Sequence, residues 1–179
     1  MIRFIHTALL AIIGALIVHI CVLFLIPYWT QESIWEELKK TGNPYQFVDL
    51  SANNSIQQTT DPFFLLKVCR FNLKNGPVHF KASKTTQFWS LAAYTQEGII
   101  FYSLNDRTTP NATLDLIIGK PIHIIELKQS KPKNNVNSVL VAKNLHKGFA
   151  LLRIFAPSSL AKKESEAFFS SATCHMLNE

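Results

Sequence analysis

The densest run of polar side chains in this 179-residue sequence lies at residues 102–107. Its members with chemical potential are Tyr102, Asn105, Asp106 and Arg107, which follow an apolar segment directly. A carboxylate, a guanidinium and a phenol at the mouth of a strand indicate a site for an anionic or sugar-like ligand. The alternative is structural, because Asn and Asp side chains bond to nearby backbone in turns, and an Asp106–Arg107 ion pair would fix the loop. The turn position favours the structural interpretation.

The cysteines offer a second kind of chemistry. Cys69 alternates with Phe71 and Leu73, so its side chain is expected to face the core, and Cys174 lies near the C-terminus. In an oxidising compartment these two cysteines could form a disulfide that closes a loop of about a hundred residues and adds about 2–4 kcal/mol. The alternative is two unpaired thiols, because sequence does not give the Cα separation that a disulfide requires.

Residues typical of enzymes are scattered rather than grouped. The six histidines stand at no zinc-like spacing with one another or with cysteine. The sequence contains no G-x-S-x-G motif, no phosphate-binding loop and no dinucleotide-binding glycine pattern. We therefore expect no catalytic residues, no metal site and no cofactor, and the sequence favours a protein that is not an enzyme.

Positive charge is concentrated in the C-terminal part of the chain. The net charge is +6, and residues 120–163 hold nine lysines and arginines against a single acid, Glu126. Such a local excess is typical of a surface that contacts an anionic partner, although a solvated basic rim is the alternative. The lysines predicted to make this contact are Lys128, Lys131, Lys133, Lys143 and Lys147.

An apolar run near the N-terminus is the strongest feature of the sequence. Residues 8–26 are apolar except for His19, and Pro27 is expected to close the run. About nineteen helical residues span about 28 Å, close to the thickness of the bilayer hydrocarbon. No small-residue cleavage site follows, so we expect an uncleaved anchor, with Tyr28 and Trp29 at headgroup level. Arg3 and the acidic outer flank predict a cytoplasmic N-terminus.

Three regions follow from this pattern: an anchor over residues 1–29, a juxtamembrane helix and loop over 30–60, and a β domain over 61–179. The helix is expected at residues 31–40, capped by Thr30. A final helix, capped by Ser158 or Ser159, is expected to reach residue 176.

Short apolar runs separated by turn residues predict the strands of the domain. Lys74, Asn75, Gly76 and Pro77 predict a hairpin turn between the first two strands. The expected strands are residues 63–73, 78–82, 87–95, 99–105, 113–118, 122–128, 138–142 and 149–156. The predicted fold is mainly β (α+β): an N-terminal transmembrane helix, then an antiparallel β-sandwich or roll with a flanking helix and a C-terminal helix.

Several of these segments together resemble a family of unknown function. They are Asp61 and Pro62, residues 68–73, 76–78 and 88–91, Tyr94, Gly98 and residues 101–107. The set is similar to domain-of-unknown-function family 1254, often paired with family 1214, among single-pass membrane proteins of alphaproteobacteria. The resemblance covers about residues 61–121. It implies a bacterial inner-membrane protein with a periplasmic β domain, and it supplies no catalytic residues. Longer relatives carry both domains in one chain.

Two functional hypotheses follow. The first is a membrane-anchored, non-enzymatic cell-envelope protein, a periplasmic interaction module. Its expected partners are the membrane itself and a companion envelope protein of the paired family or anionic lipid, and we expect no nucleic acid. The second is a periplasmic domain that binds or acts on an anionic or sugar-like ligand through Tyr102, Asp106 and Arg107. A convergent polar pocket would favour the second hypothesis, whereas side chains satisfied by backbone would favour the first.

Overall fold

The computed structural model describes residues 1–50, 61–130 and 138–177, without the side chains of residues 27–33 and 130. One continuous helix, α1, opens the chain over Ile2–Thr41. The prediction of a separate juxtamembrane helix is therefore wrong, because α1 continues through Pro27, a residue that lacks the backbone N–H of a helical hydrogen bond. The roles expected for Tyr28, Trp29 and Thr30 lie outside the described side chains.

The first part of α1 has the composition of a membrane-crossing segment. Residues Ile2–Ile26 are long and apolar enough to cross a bilayer, with a mean hydropathy of 3.1. Their position at the N-terminus fits a membrane anchor and a signal sequence alike.

Within the described residues after α1, the chain forms nine strands and two further helices. The strands are β1 Val48–Asp49, β2 Phe64–Asn72, β3 Val78–Ala82, β4 Trp89–Thr95, β5 Ile100–Asn105, β6 Asp115–Gly119, β7 Val139–Ala142, β8 Lys147–Phe155 and β9 Ala172–Met176. The helices are α2 Pro121–Ser130 and α3 Ser159–Ser171, with a short 3-10 turn at Pro110–Ala112.

The strands form two sheets, which confirms the predicted α+β fold with β-sandwich character. The first sheet has the order β1-β2-β8-β4-β5 and the second the order β7-β6-β3-β9. All pairs are antiparallel except β6 with β7, which are parallel. Parallel neighbours need a crossover connection, and α2 provides it. The strand predicted at residues 122–128 is wrong for this reason.

The predicted turn at residues 74–77 connects the two sheets rather than closing a hairpin. The strand before it, β2, pairs with β1 and β8, whereas β3 pairs with β6 and β9. Gly76 adopts the positive φ of 152° that the Asn-Gly pair predicted. The hairpin prediction is wrong because turn residues determine where the chain reverses direction, and they do not determine which strand each neighbouring strand pairs with.

The core lies between the two sheets. Large side chains such as Phe71, Phe80 and Trp89 are at most 1% exposed there. Cys69 in β2 and Cys174 in β9 form a disulfide with a Cα–Cα distance of 6.5 Å, so a covalent bond joins the two sheets. The disulfide interpretation of these two cysteines is confirmed.

The C-terminal segment differs from the prediction in its last residues. Ser158 caps α3 as predicted, by accepting a hydrogen bond from the backbone N–H of Ala161 at 3.2 Å. The helix ends at Ser171 and the chain continues as β9, an edge strand beside β3. Phe168 stacks on Trp89 in the core, with ring centroids 5.9 Å apart. The predicted single helix to residue 176 is wrong, because Cys174 must reach the sheet to meet Cys69.

Candidate functional site

The predicted polar run forms a tight turn after β5. The side-chain oxygen of Asn105 accepts hydrogen bonds from the backbone N–H groups of Arg107 and Thr108, each at 3.0 Å. The hydroxyl groups of Thr108 and Thr109 both donate to the Asn105 carbonyl at 3.1 Å. The amide of Asn105 is thus used by the turn itself, as the structural interpretation predicted.

Asp106 binds the backbone of Phe88, the residue that directly precedes the neighbouring strand β4. Its carboxylate accepts a hydrogen bond from the backbone N–H of Phe88 at 2.9 Å. Its own N–H donates to the Trp89 carbonyl at 3.3 Å. None of the ion pairs among the described residues joins Asp106 to Arg107, so the predicted pair is absent there. Arg107 is exposed and Tyr102 is half-buried.

Phe88 has an unusual backbone for a bulky residue. Its φ is 56°, in the left-handed region that aromatic residues rarely adopt. This conformation leaves its side chain 55% exposed. Strained residues of this kind persist when surrounding bonds fix them and are frequent at functional sites. Here the bonds come from Asp106 and from the N–H of Phe155, which donates to the Phe88 carbonyl at 3.1 Å.

Phe88 belongs to a group of four phenylalanines that we call the aromatic patch: Phe63, Phe64, Phe88 and Phe155. Phe155 lies at the centre, with ring centroids 6.5 Å from Phe63, 5.3 Å from Phe64 and 6.3 Å from Phe88. Phe63 and Phe155 are 50% and 37% exposed. The guanidinium of Arg153 lies 4.8 Å from the Phe64 ring centroid, a cation–π contact at the border of the patch.

The aromatic patch continues a surface that α1 covers only in part. On the outer face of the first sheet, Trp35 and Leu38 of α1 pack with Leu66, Val68 and Phe149. The same face of β8 then continues through Arg153 to Phe155, which is exposed. Six residues of strand separate Phe149 from Phe155, about 20 Å. One half of the outer face is therefore covered by α1, and the half with the patch is open within the described part of the chain.

The predicted anion-contacting lysines lie at different places. Lys143 and Lys147 are exposed at the end of the sandwich where β8 begins. Lys128 is in the last turn of α2. Lys131 and Lys133 lie outside the described residues. The basic excess is therefore not one continuous face over the residues that the structure describes.

A polar cluster on the outer face of the second sheet was missed by the sequence analysis. His79 is 5% exposed, and its Nε2 lies 2.8 Å from Oδ1 of Asp115. The same oxygen accepts a hydrogen bond from the Ser138 hydroxyl at 2.6 Å, and Lys81 Nζ lies 3.9 Å from the other oxygen. His175 faces His79 across strands β3 and β9, with ring centroids 5.2 Å apart. Only strand register brings the two histidines together, so residue spacing carried no signal.

The arrangement of this cluster is that of a structural network. Ser138 and His79 share one carboxylate oxygen of Asp115 and do not bond to each other, so they do not form the Ser–His pair of a nucleophilic enzyme. Among residues 1–50, 61–130 and 138–177, no group of three or more His, Cys, Asp or Glu could hold a metal ion. Partial burial lowers the pKa of His175, and the charges of His79 and Lys81 lower it further. The lowered pKa favours the neutral form of the His175 ring in the folded protein.

Comparisons with known proteins define the fold and no family. No protein-family profile and no curated protein matches the chain. A solved structure, the VPA0106 protein from Vibrio parahaemolyticus, is similar over 84% of this chain, with a TM-score of 0.60 and 12% sequence identity. The chain spans 37% of the length of that protein. The likeness therefore shows a shared fold, and more than half of the longer protein lies outside it.

Proposed function

We propose that this chain is a membrane-anchored interaction module that acts through the aromatic patch and carries out no chemistry of its own. The observation that supports it is the role of Asp106, whose carboxylate accepts a hydrogen bond from the backbone N–H of Phe88. A residue that looked like part of a ligand site thus stabilises the strained backbone of an exposed aromatic residue. Exposed, contiguous apolar groups of this kind mark protein interaction sites.

The partner that we propose for the patch is a companion protein of the cell envelope. The similar Vibrio structure is much longer than this chain, which spans 37% of it. A domain laid on the open half of the outer face would extend the layer that α1 begins with Trp35. Phenylalanine rings bordered by Arg153 match an apolar surface with an acidic rim. The resemblance to family 1254, which is often paired with family 1214, is consistent with this partner.

The proposal places the protein in a bacterial inner membrane, with its N-terminus in the cytoplasm and its β domain in the periplasm. The continuity of α1 supports retention of the anchor, because the helix runs from the apolar segment to Trp35 without interruption. Arg3 lies before the apolar segment, and after it the acids Glu32, Glu36 and Glu37 precede Lys39 and Lys40; the proposed orientation rests on this order of charges. The disulfide fits an oxidising compartment.

The alternative function, binding of an anionic or sugar-like ligand at Tyr102, Asp106 and Arg107, has weaker support. The side-chain oxygen of Asn105 and one carboxylate oxygen of Asp106 accept hydrogen bonds from backbone N–H groups. The remaining candidates are an exposed arginine and a half-buried tyrosine, which do not define a ligand geometry.

Quantitative co-purification of the full chain from membranes tests the proposal. The test variant is Phe88→Asn, because asparagine tolerates a left-handed backbone while removing the aromatic ring. The matched control is Ile125→Asn, which changes an apolar side chain 50% exposed on α2, on the other sheet. Both variants are first shown to melt like the wild type, so that loss of a partner is not loss of the fold.

We expect a distinct protein to co-purify with the wild type and with Ile125→Asn, and to be depleted about tenfold or more with Phe88→Asn, as for an interface hot spot. Equal recovery with all three chains contradicts a role for the patch. Recovery of only a second, differently tagged copy of this chain contradicts the companion partner.

A further inference from the structure

Basic and apolar side chains meet at the end of the sandwich opposite the aromatic patch. We call this surface the basic end and define it by Ile99, Ile100, Lys120, Lys143 and Lys147. Ile99 and Ile100 are 60% and 57% exposed at the β4–β5 turn. Two exposed isoleucines beside each other at a turn, near lysines, form a surface different in character from the aromatic patch.

Specific contacts hold the members of the basic end together. The Lys143 ammonium lies 5.9 Å from the ring centroid of Phe101, the residue after Ile100. The N–H of Lys143 donates to the carbonyl of Gly119 at 2.9 Å, which brings it beside Lys120. Lys147 opens β8 opposite Asn72, at the same end of the first sheet. Residues distant in sequence thus share one end of the fold.

The basic end lies close to the point where the anchor meets the domain. Trp35 of α1 contacts Phe149, with ring centroids 6.4 Å apart, and Phe149 stacks on Tyr94 at 4.8 Å. Tyr94 pairs with Ile100 in the hairpin. Trp35 follows the last residue of the apolar segment by nine residues of continuous helix, about 14 Å.

This distance brings the basic end within reach of lipid headgroups. The headgroup region of each leaflet is about 5–8 Å thick outside the hydrocarbon. Trp35 is then no further from the charged surface than about one Debye length, about 8 Å at physiological salt. Lysines within that range of an anionic surface are attracted to it, and exposed isoleucines insert among headgroups.

We infer that the basic end docks on the anionic lipid surface of the membrane that holds α1, which fixes the orientation of the β domain. The inference rests on the anchor being retained, as proposed above. Docking directs Ile99, Ile100 and the three lysines to the bilayer and leaves the aromatic patch, at the other end of β8, facing away from it. The membrane and the protein partner then bind opposite ends of one domain.

The test uses the full chain in nanodiscs, with Cys21→Ser to remove the one free thiol among the described residues. A single cysteine is introduced at Ile99, or at Thr85 as a control exposed position before β4. Labelling by a membrane-impermeant maleimide is timed in zwitterionic nanodiscs and in nanodiscs containing anionic phosphatidylglycerol. The triple variant K120Q/K143Q/K147Q repeats the measurement without the lysines.

We expect anionic lipid to slow labelling of Ile99→Cys on the order of tenfold and to leave Thr85→Cys unchanged. About 0.5 M salt, which shortens the Debye length to roughly 4 Å, and the triple variant should each restore the fast rate. Equal rates at position 99 in both lipids overturn the inference. Retention of the anchor is checked separately by intact-mass spectrometry of the chain extracted from membranes, so a failure of the anchor and a failure of the docking are distinguishable.

Discussion

Asp106 was a candidate ligand-binding residue in the sequence, and in the structure it stabilises the backbone of a neighbouring residue. Its carboxylate accepts the N–H of Phe88, which lies in a left-handed conformation with φ of 56°. The bond offsets part of the strain of that conformation, which is of order 1–3 kcal/mol. The Asp106 side chain therefore helps to hold the exposed ring of Phe88 in place by binding the backbone of Phe88.

Replacement of Asp106 tests this role. We expect Asp106→Ala to lower the free energy of unfolding by about 1–2 kcal/mol, because the Phe88 N–H loses its acceptor. Asp106→Asn retains an acceptor oxygen and should lose less, and Arg107→Ala should change little because Arg107 is exposed. Thermal melts followed by tryptophan fluorescence measure it. An unchanged melting temperature for Asp106→Ala, with a lost ligand or partner, would favour a binding role instead.

His175 gives a prediction for pH. Its pKa lies below the ordinary value because of partial burial and the charges of His79 and Lys81, with Asp115 on β6 as the nearest opposite charge in the cluster. As the pH falls through about 6.5, His175 therefore takes up a proton in the unfolded chain before it does so in the folded chain. The contribution of His175 to the free energy of unfolding decreases over the same pH range.

His175→Gln should remove that contribution. We expect the melting temperature of the wild type to fall further between about pH 7.5 and pH 5.5 than that of the variant. Parallel pH profiles for the two chains would show that His175 does not carry the effect.

Among the elements, the edge strand β9 depends on a covalent link. The disulfide joins Cys174 in β9 to Cys69 in β2 across a sequence separation of 105 residues. The double variant Cys69→Ala/Cys174→Ala should lose about 2–5 kcal/mol of stability, because the unfolded chain gains the entropy of a large open loop.

Cys21→Ser is the matched control, because Cys21 is exposed in the apolar helix and has no bond to lose. A reductant should lower the melting temperature of the wild type and of the control, and leave the double variant unaffected. If the reductant changes nothing in the wild type, the disulfide does not support the fold.

Element type could be predicted from the sequence where alternation or apolar length was strong. The run 78–82 and the segments that became β2, β4, β5 and β8 alternate or bury both faces, and they were predicted within one or two residues. The prediction for Pro121–Ser130 was wrong, because the pattern of a short apolar run is the same in a strand and in a buried helix. The segment is helical because it connects β6 to β7, which pair in parallel, and this pairing is set by tertiary structure.

The candidate sites could be predicted from the sequence less completely than the helices and strands. The run at residues 102–107 was visible as a dense polar group, and its turn could be predicted from Asn and Asp chemistry. Its connection to Phe88 could not, because the bond crosses from one strand to its neighbour. The aromatic patch and the His79–His175 pair each join strands distant in sequence, and only register and sheet order bring them together.

At the scale of the whole molecule, the proposed function depends on the apolar helix remaining part of the mature protein. We expect the mature protein extracted from membranes to retain residues 8–26, because no small-residue cleavage site follows them and α1 continues to Trp35. Intact-mass spectrometry measures the N-terminus. A mature chain that begins near residues 28–32 would make the protein a secreted one and remove the anchor.

In the arrangement proposed above, the basic end of the two-sheet domain lies near the bilayer and the aromatic patch lies at the other end. The central claim is that an envelope partner binds that patch. The most direct test is a photo-crosslinking amino acid placed at Phe88 in the full chain, activated in living cells, with Ile125 as the control position. We expect a membrane-fraction adduct with a different protein at position 88 and none at position 125. No adduct at position 88, or only an adduct with a second copy of this chain, would contradict the account.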